Sequence, residues 1–281
     1  MMYADLHLHT NYSDGTFTPQ ELVARAFDAG LQTLSLTDHD TMEGCQEMLD
    51  ACAKVGLTFI TGCEFTVEFE DQELHLLGYG MRLENPELQS TLSYYQSVRR
   101  ERIIRMTERL AGLGIRILPE KVVEIVQCNS PGRPHLARAL IAGGHCTSID
   151  DAFANYLKKG KPAWVAKPKL NAEKAIDLIH RTGGVAVLAH PGITRKDELI
   201  AGLVSVGMDG LECFYIRHST PMTEHYLVLA DKHRLLVTGG SDCHGMNKGH
   251  PSVGKIKLEQ PFVETLQRAI ANRQSSISTA L

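Results

Sequence analysis

Short apolar runs that end in histidine and carboxylate residues, separated by amphipathic helical stretches, recur along the chain and leave few folds open to it. The first run, residues 3–10, alternates Asp5, His7 and His9 with Leu6 and Leu8. On a strand, that alternation throws the polar side chains to one face and the leucines to the other. Residues 33–36 deliver Thr37, Asp38, His39 and Asp40, and residues 58–61 deliver Gly62, Cys63 and Glu64. Later, residues 185–188 deliver His190 and Pro191, and residues 235–238 deliver Ser241, Asp242, Cys243 and His244. The helices between have legible ends. Thr18-Pro19-Gln20-Glu21 reads as a capping box with proline at the first helical position, Gly30 and Gly56 read as stops, and Asn171 reads as an N-cap. Such a rhythm predicts an α/β fold, a (β/α) barrel or related parallel sheet, with functional side chains gathered at the strands' carboxyl ends.

Two stretches break the rhythm. Apolar segments on either side of Asp71-Gln72 predict a hairpin that carries His75. From Pro86 onward, Leu88, Leu92, Tyr95, Val98, Arg102, Met106 and Leu110 recur at helical spacing, with Arg99, Arg100, Arg105 and Arg109 beside them. Shorter helices are expected near 120–126, 135–141 and 149–156, and a turn at 158–162. Residues 1–82 and 167–281 are therefore read as the barrel and 83–166 as a mostly helical insert. A last helix is expected from Pro261 to about Asn272.

Composition narrows the partners. A net charge of -4 over 281 residues provides no global field for long nucleic acid or an anionic membrane, so any grip on phosphate must be local. Seven cysteines without a CxxC pair argue against a disulfide framework or zinc ribbon and fit a reducing, cytoplasmic setting. Neither a signal-peptide pattern nor a membrane-length apolar run is present.

The polar residues at the strand ends form one candidate set: His7, His9, Asp14, His39, Glu64, His75, His190, Asp242 and His244. Taken singly, each histidine is as easily a capping or satisfied core residue. Together they exceed what one tetrahedral zinc can use and suit two or three divalent ions sharing carboxylates.

Asp5-x-His7-x-His9, Thr37-Asp38-His39-Asp40, Glu64, His75, His190-Pro191 and Gly240-Ser241-Asp242-Cys243-His244 resemble the motifs of the polymerase and histidinol phosphatase (PHP) superfamily. The resemblance spans residues 3 to about 250 and implies a distorted (β/α)7 barrel with a small, mostly helical insertion domain. It also implies three divalent ions, manganese foremost, with zinc or iron as alternatives. By motif position, one ion would be held by His7, His9, Glu64 and Asp242, and a second by Asp14, His39 and His244. A third would take Glu64, His75 and His190, with Glu64 bridging. No ligand position is replaced. Asp5 is expected to orient a histidine without touching metal.

The branch of that superfamily that dephosphorylates 3',5'-nucleoside bisphosphates is similar in length, in the small insert and in its arginines. The resemblance implies substrate contacts for Asp14, Arg99 and Arg102, and for Arg133 and His135 in the segment that follows Ser130. Arginine suits phosphate because its planar fork donates two parallel hydrogen bonds. A solvated helix face balanced by Glu101 and Glu108 accounts for the remaining arginines. His218 lies on the expected rim and is a further candidate for substrate contact, whereas His180, His225 and His233 read as helix-surface residues.

The expected reaction is removal of the 3'-phosphate by a hydroxide whose formation the metals favour, with no serine or cysteine nucleophile required. Alternatives in the same site are 5'→3' exonuclease action on short oligonucleotides and a histidinol-phosphate-type phosphatase. Amidohydrolase-like C–N hydrolysis and a non-catalytic metal-binding regulatory module are disfavoured by the ligand set. The expected partner is a small nucleotide or short oligonucleotide, and the expected state a monomer or weak oligomer.

Overall fold

A computed structural model, describing residues 2–247 and 249–279, realises the strand–helix rhythm as a nearly closed sheet. Its strands are β1 (Tyr3–Leu8), β2 (Thr33–Leu36), β3 (Thr58–Phe69), β4 (Gln72–Tyr79), β5 (Leu170–Asn171), β6 (Val185–Leu188), β7 (Gly210–Tyr215), β8 (Leu236–Gly240) and β9 (Leu258–Glu259). The order is β8-β7-β6-β4-β3-β2-β1-β9, with β5 paired to β3 off that path. The first three strands run parallel, as do β6, β7 and β8, while β4 lies antiparallel between the two groups. Seven strands, from β1 round to β8 without β5 and β9, form the wall. Closure is made where the His9 N–H donates to the Cys243 carbonyl at 3.0 Å. Gly240 makes that approach feasible, because a Cβ there would stand 2.3 Å from the His7 Cβ.

The helices are α1 (Pro19–Asp28), α2 (Cys45–Val55), α3 (Pro86–Gly112), α4 (Pro119–Gln127), α5 (Arg133–Ala142), α6 (Ile149–Ala152), α7 (Ala172–Arg181), α8 (Pro191–Thr194), α9 (Ile200–Ser205), α10 (Thr220–His233) and α11 (Gln260–Thr279). The Thr18–Glu21 capping box opens α1, and the Asn171 side chain accepts from Lys174 N–H to open α7. Leu22, Val23, Met48, Ile176 and Ile179 pack against the sheet, while Val263 and Leu266 of α11 pack with Ala4, Leu6 and Tyr79.

Helix α3 joins two cores. Its first half buries Leu88 and Leu92 with the barrel residues, and its second half buries Ile103, Met106 and Leu110 with Ile125, Leu136, Leu140 and Leu157. Two local expectations shift. The hairpin turns at Glu70-Asp71, both left-handed (φ 47° and 61°), one residue earlier than expected. Helix α11 continues past Asn272 to Thr279 because no glycine or proline follows Pro261 to end it.

Candidate metal centre and its flanking cation pocket

All nine residues of the strand-end set converge at the carboxyl rim. Ligand atoms within 4.8 Å of one another form four overlapping groups: His9, Asp14, His39 and His244; His7, Glu64 and His190; His7, His9 and Asp242; and His39, Glu64 and His75. Glu64 is the hub. Its Oε1 lies 2.7 Å from His75 Nδ1 and 3.0 Å from His190 Nε2, and its Oε2 lies 2.9 Å from His39 Nδ1. On the other side, Asp242 Oδ1 is 3.1 Å from His9 Nε2, and Asp14 Oδ1 is 3.2 Å from His244 Nε2. The alternation of β1 turns His7 and His9 inward together. His190 (φ 30°) and Asp242 (φ 49°) reach inward from left-handed backbone, an uncommon conformation that surrounding contacts must hold.

The donor set fits divalent cations. His7 Nε2, both His9 ring nitrogens, His39 Nδ1, Glu64 Oε2 and His190 Nδ1 are buried with no hydrogen-bond partner among the described residues. Stranding this many polar atoms costs too much unless a ligand satisfies them. Within the cluster the carboxylates and rings also bias one another's ionisation. Burial opposes ionisation of Glu64, yet His75, His39 and His7 outweigh it and hold the carboxyl well below its usual range. Burial pushes His9 down to about 3, with His244 and His39 adding to it. Burial likewise opposes a charged His244, but Asp14 and Asp242 outweigh it and raise the ring to about 10.

Several neighbours that sequence reasoning did not assign hold this rim in place. Glu212, fully buried on β7, accepts from His7 Nδ1 at 2.9 Å and from the His190 N–H at 2.7 Å. It thereby leaves the His7 Nε2 facing the centre, the orienting role expected of Asp5. Asp5 instead accepts from the backbone N–H groups of Ser241 and Gly254, at 2.8 and 3.2 Å, and ties β1 to the segments after β8. Asp38 fixes the loop that carries Asp14, taking the Thr10 N–H at 2.8 Å and the Ser13 hydroxyl. Tyr215 donates its hydroxyl to Asp242 Oδ2 at 2.8 Å. His218, a candidate for substrate contact, is held by two hydrogen bonds. Its Nδ1 donates to the Cys213 carbonyl and its Nε2 accepts the Gly192 N–H, so both ring nitrogens brace the loop that carries His190.

Beside the centre lies a cation pocket. Arg99 Nε is 2.7 Å from Asp40 Oδ2, its NH2 donates to Thr66 Oγ1 at 3.1 Å, and Lys167 Nζ is 3.4 Å from the same Asp40 oxygen. Arg102 donates to the Val165 carbonyl at 2.8 Å, while the Arg133 guanidinium lies over the Phe153 ring and has no hydrogen-bond partner among the described residues. His135 Nδ1 accepts the Gly132 N–H at 3.1 Å, and burial pushes the ring down to about 4. Burial lowers Arg102 to about 10, with Arg133 adding to it. Lys167 drops to about 7, from burial first and then from Arg99, against Asp40. Four cationic side chains gather here, opposed by Asp40 and Glu73 within the pocket and by Asp14 and Glu64 from the adjoining centre. Lys167 gave no sequence signal, because a lone lysine in a Lys-Pro-Lys stretch looks solvated.

A barrel rim with this many convergent imidazoles and carboxylates, flanked by buried cations, defines a metal-dependent hydrolase acting on phosphate esters. The comparisons agree. The PHP domain model matches residues 5–182, and the chain belongs to that family. It is 32% identical to a 3',5'-nucleoside bisphosphate phosphatase of Chromobacterium violaceum, over 97% of this chain and 98% of the relative. It is 34% identical to the 5'-3' exoribonuclease Rnm of Escherichia coli, over 85% and 84%. A solved structure from Bifidobacterium adolescentis, assigned as a metal-dependent phosphoesterase, superposes with a TM-score of 0.88 at 32% identity, covering 95% of this chain and 96% of that one. No helix among the described residues is long and apolar enough to cross a membrane.

Proposed function

We propose that this enzyme removes the 3'-phosphate from 3',5'-nucleoside bisphosphates. The observation that carries the reading is the cation pocket of Arg99, Arg102, Arg133 and Lys167 beside the histidine–carboxylate rim, in which Asp40 alone pairs directly with Arg99 and Lys167. A substrate with one phosphate needs only the rim, whereas one with two phosphates uses both. Arginine forks and a buried lysine grip a dianion strongly where water is scarce.

In this reading three ions are held, one by His7, His9, Glu64 and Asp242, one by Asp14, His39 and His244, and one by Glu64, His75 and His190. Manganese is the assigned metal. Bound divalent ions would supply a water of lowered pKa and neutralise charge on the transferring phosphoryl group. The protein's own share is placement. The pocket arginines and Lys167 anchor the 5'-phosphate, Asp14 and His135 border the reacting group, and residues 83–166 act as an insert that caps the substrate. Holding the far phosphate at a fixed distance orients the 3'-phosphoryl group for in-line attack. The seven unpaired cysteines support a cytoplasmic setting for the reaction.

The test is phosphate release by the manganese-loaded protein from a 3',5'-bisphosphate, a 5'-monophosphate and histidinol phosphate. The bisphosphate should be preferred by on the order of 100-fold in kcat/KM, the scale of a lost charge-assisted hydrogen-bond pair. Equal rates on all three would overturn the assignment.

A further inference from the structure

Helix α5 carries Arg133 and His135 at its start, and one turn further on Arg138 reaches the metal rim. The Arg138 Nη1 donates to the Asp14 carbonyl at 3.1 Å and to Asn247 Oδ1 at 2.7 Å. Asn247 Nδ2 donates to the same Asp14 carbonyl at 2.9 Å. Both lone pairs of that carbonyl are thereby engaged, one from α5 and one from the segment that follows His244. The Cys128 thiol, just after α4, donates to the neighbouring Ser13 carbonyl at 3.3 Å. The Asp14 carboxylate is left facing the centre, 3.2 Å from His244 Nε2 and 3.7 Å from His39 Nε2.

Other ligands of the rim are held from the sheet: Glu212 fixes His7 and His190, and Tyr215 fixes Asp242, both from β7. Asp14 is braced in addition from α5, and His39 precedes Asp40, which α3 grips through Arg99 and Gln96. Asp14, His39 and His244 are the residues assigned above to one ion. That ion therefore draws its seating from the helices between β4 and β5. A direct electrostatic effect of Arg138 would run the other way. A guanidinium close enough to act on Asp14 repels a cation bound there, so its removal would tighten the ion. Any benefit of Arg138 to that ion must come from the placement of Asp14.

We propose that Arg138 is a positioning residue that seats the ion of Asp14, His39 and His244, so that α5 completes one metal site as well as bordering the substrate. The proposal rests on the three-ion reading above. Arginine suits the place because one end of its planar fork reaches a carbonyl and an amide oxygen together, and its charge strengthens both bonds. Without it Asn247 keeps one bond to the Asp14 carbonyl, and the turn that carries Asp14 is free to shift. Ligation needs that carboxylate placed to within about 0.5 Å.

The test is a manganese titration of the metal-free wild type and of Arg138→Ala, Arg138→Lys and Asn247→Ala, with bound metal counted by elemental analysis after dialysis. The wild type should hold three ions. Arg138→Ala should keep two at wild-type affinity and bind the third on the order of 10- to 100-fold more weakly. Arg138→Lys, a point charge with rotatable donors, should recover part of the loss, and Asn247→Ala should reproduce it in smaller measure. The Tm of each metal-free variant should stay within a few degrees of the metal-free wild type. A third ion held by Arg138→Ala as tightly as by the wild type, or more tightly, overturns the proposal. An equal weakening of all three ions also overturns it, since that marks a merely structural role. Should Arg138→Ala not fold, wild-type affinity for every ion in Asn247→Ala overturns it instead. A wild type that holds fewer than three ions overturns the three-ion reading, and Arg138 then stands or falls on whether its variant loses one of those held.

Discussion

Around the metal centre every ligand atom comes from a strand, or from the residues that follow one. In the cation pocket Asp40, Thr66 and Glu73 have that origin, but none of the cations does. Arg99 and Arg102 lie midway along α3, Arg133 opens α5, and Lys167 belongs to the segment that returns toward β5. The centre is thus set by strand register inside one sheet, with Glu64 as the hub. The pocket is set by how a long helix docks across the rim, with Asp40 binding Arg99 and Lys167 from two separate segments. Their polar atoms differ too. The centre leaves buried imidazole and carboxylate atoms without hydrogen-bond partners, whereas the pocket gathers cationic side chains about Asp40. One sheet therefore prepares opposite charge preferences side by side, the arrangement on which the proposed two-phosphate substrate relies.

If the two regions are separable in this way, substitutions should sort by readout. Glu64→Gln should have the largest effect, lowering kcat by roughly 1,000-fold or more and reducing bound metal measured by elemental analysis. Full metal occupancy with normal kcat would remove Glu64 from the hub. Next comes Glu212→Gln, which keeps the shape but swaps one acceptor oxygen for an NH2, so either His7 Nδ1 or the His190 N–H loses its partner. Metal affinity and activity should each drop roughly 10- to 100-fold. An unchanged metal affinity would relegate Glu212 to packing. In the pocket, Arg102→Ala should raise KM for a bisphosphate on the order of tenfold, with kcat and metal content kept and a simple monoester little affected. Equal effects on both substrates would break the division of labour.

The smallest effect is a pH dependence. Lys167 loses its proton near pH 7 in the folded enzyme, so its charge is present below that value and absent above it. The kcat/KM for a bisphosphate should therefore decline as pH rises from about 6 to 8, by roughly the few-fold worth of one weakened ion pair. Lys167→Arg, which stays charged, should flatten that decline. A decline that persists unchanged in Lys167→Arg would assign it to another group.

Much of the centre was legible because it obeys short-range rules. Alternation along β1 put His7 and His9 on one face, and helix caps at Thr18 and Asn171 fixed where strands begin and end. The orienting carboxylate was misassigned for a physical reason. Asp5 is near His7 in sequence, but on the same strand its carboxylate is drawn to backbone N–H groups arriving from beyond β8, and the ring finds Glu212 across the barrel. Glu212 did carry a signal, since it interrupts an otherwise apolar strand. The sequence could not show that the Cys213 carbonyl and the Gly192 N–H would engage both ring nitrogens of His218.

The sequence by itself determined the class of fold, the nine-residue rim and the arginine-bearing helix, because strand alternation, caps and helical periodicity act over a few residues. Only the tertiary structure decided which carboxylate orients His7 and that Lys167 joins Arg99 on Asp40. Those features depend on contacts between segments tens to hundreds of residues apart, made when the sheet closes at Gly240 and α3 settles across its rim.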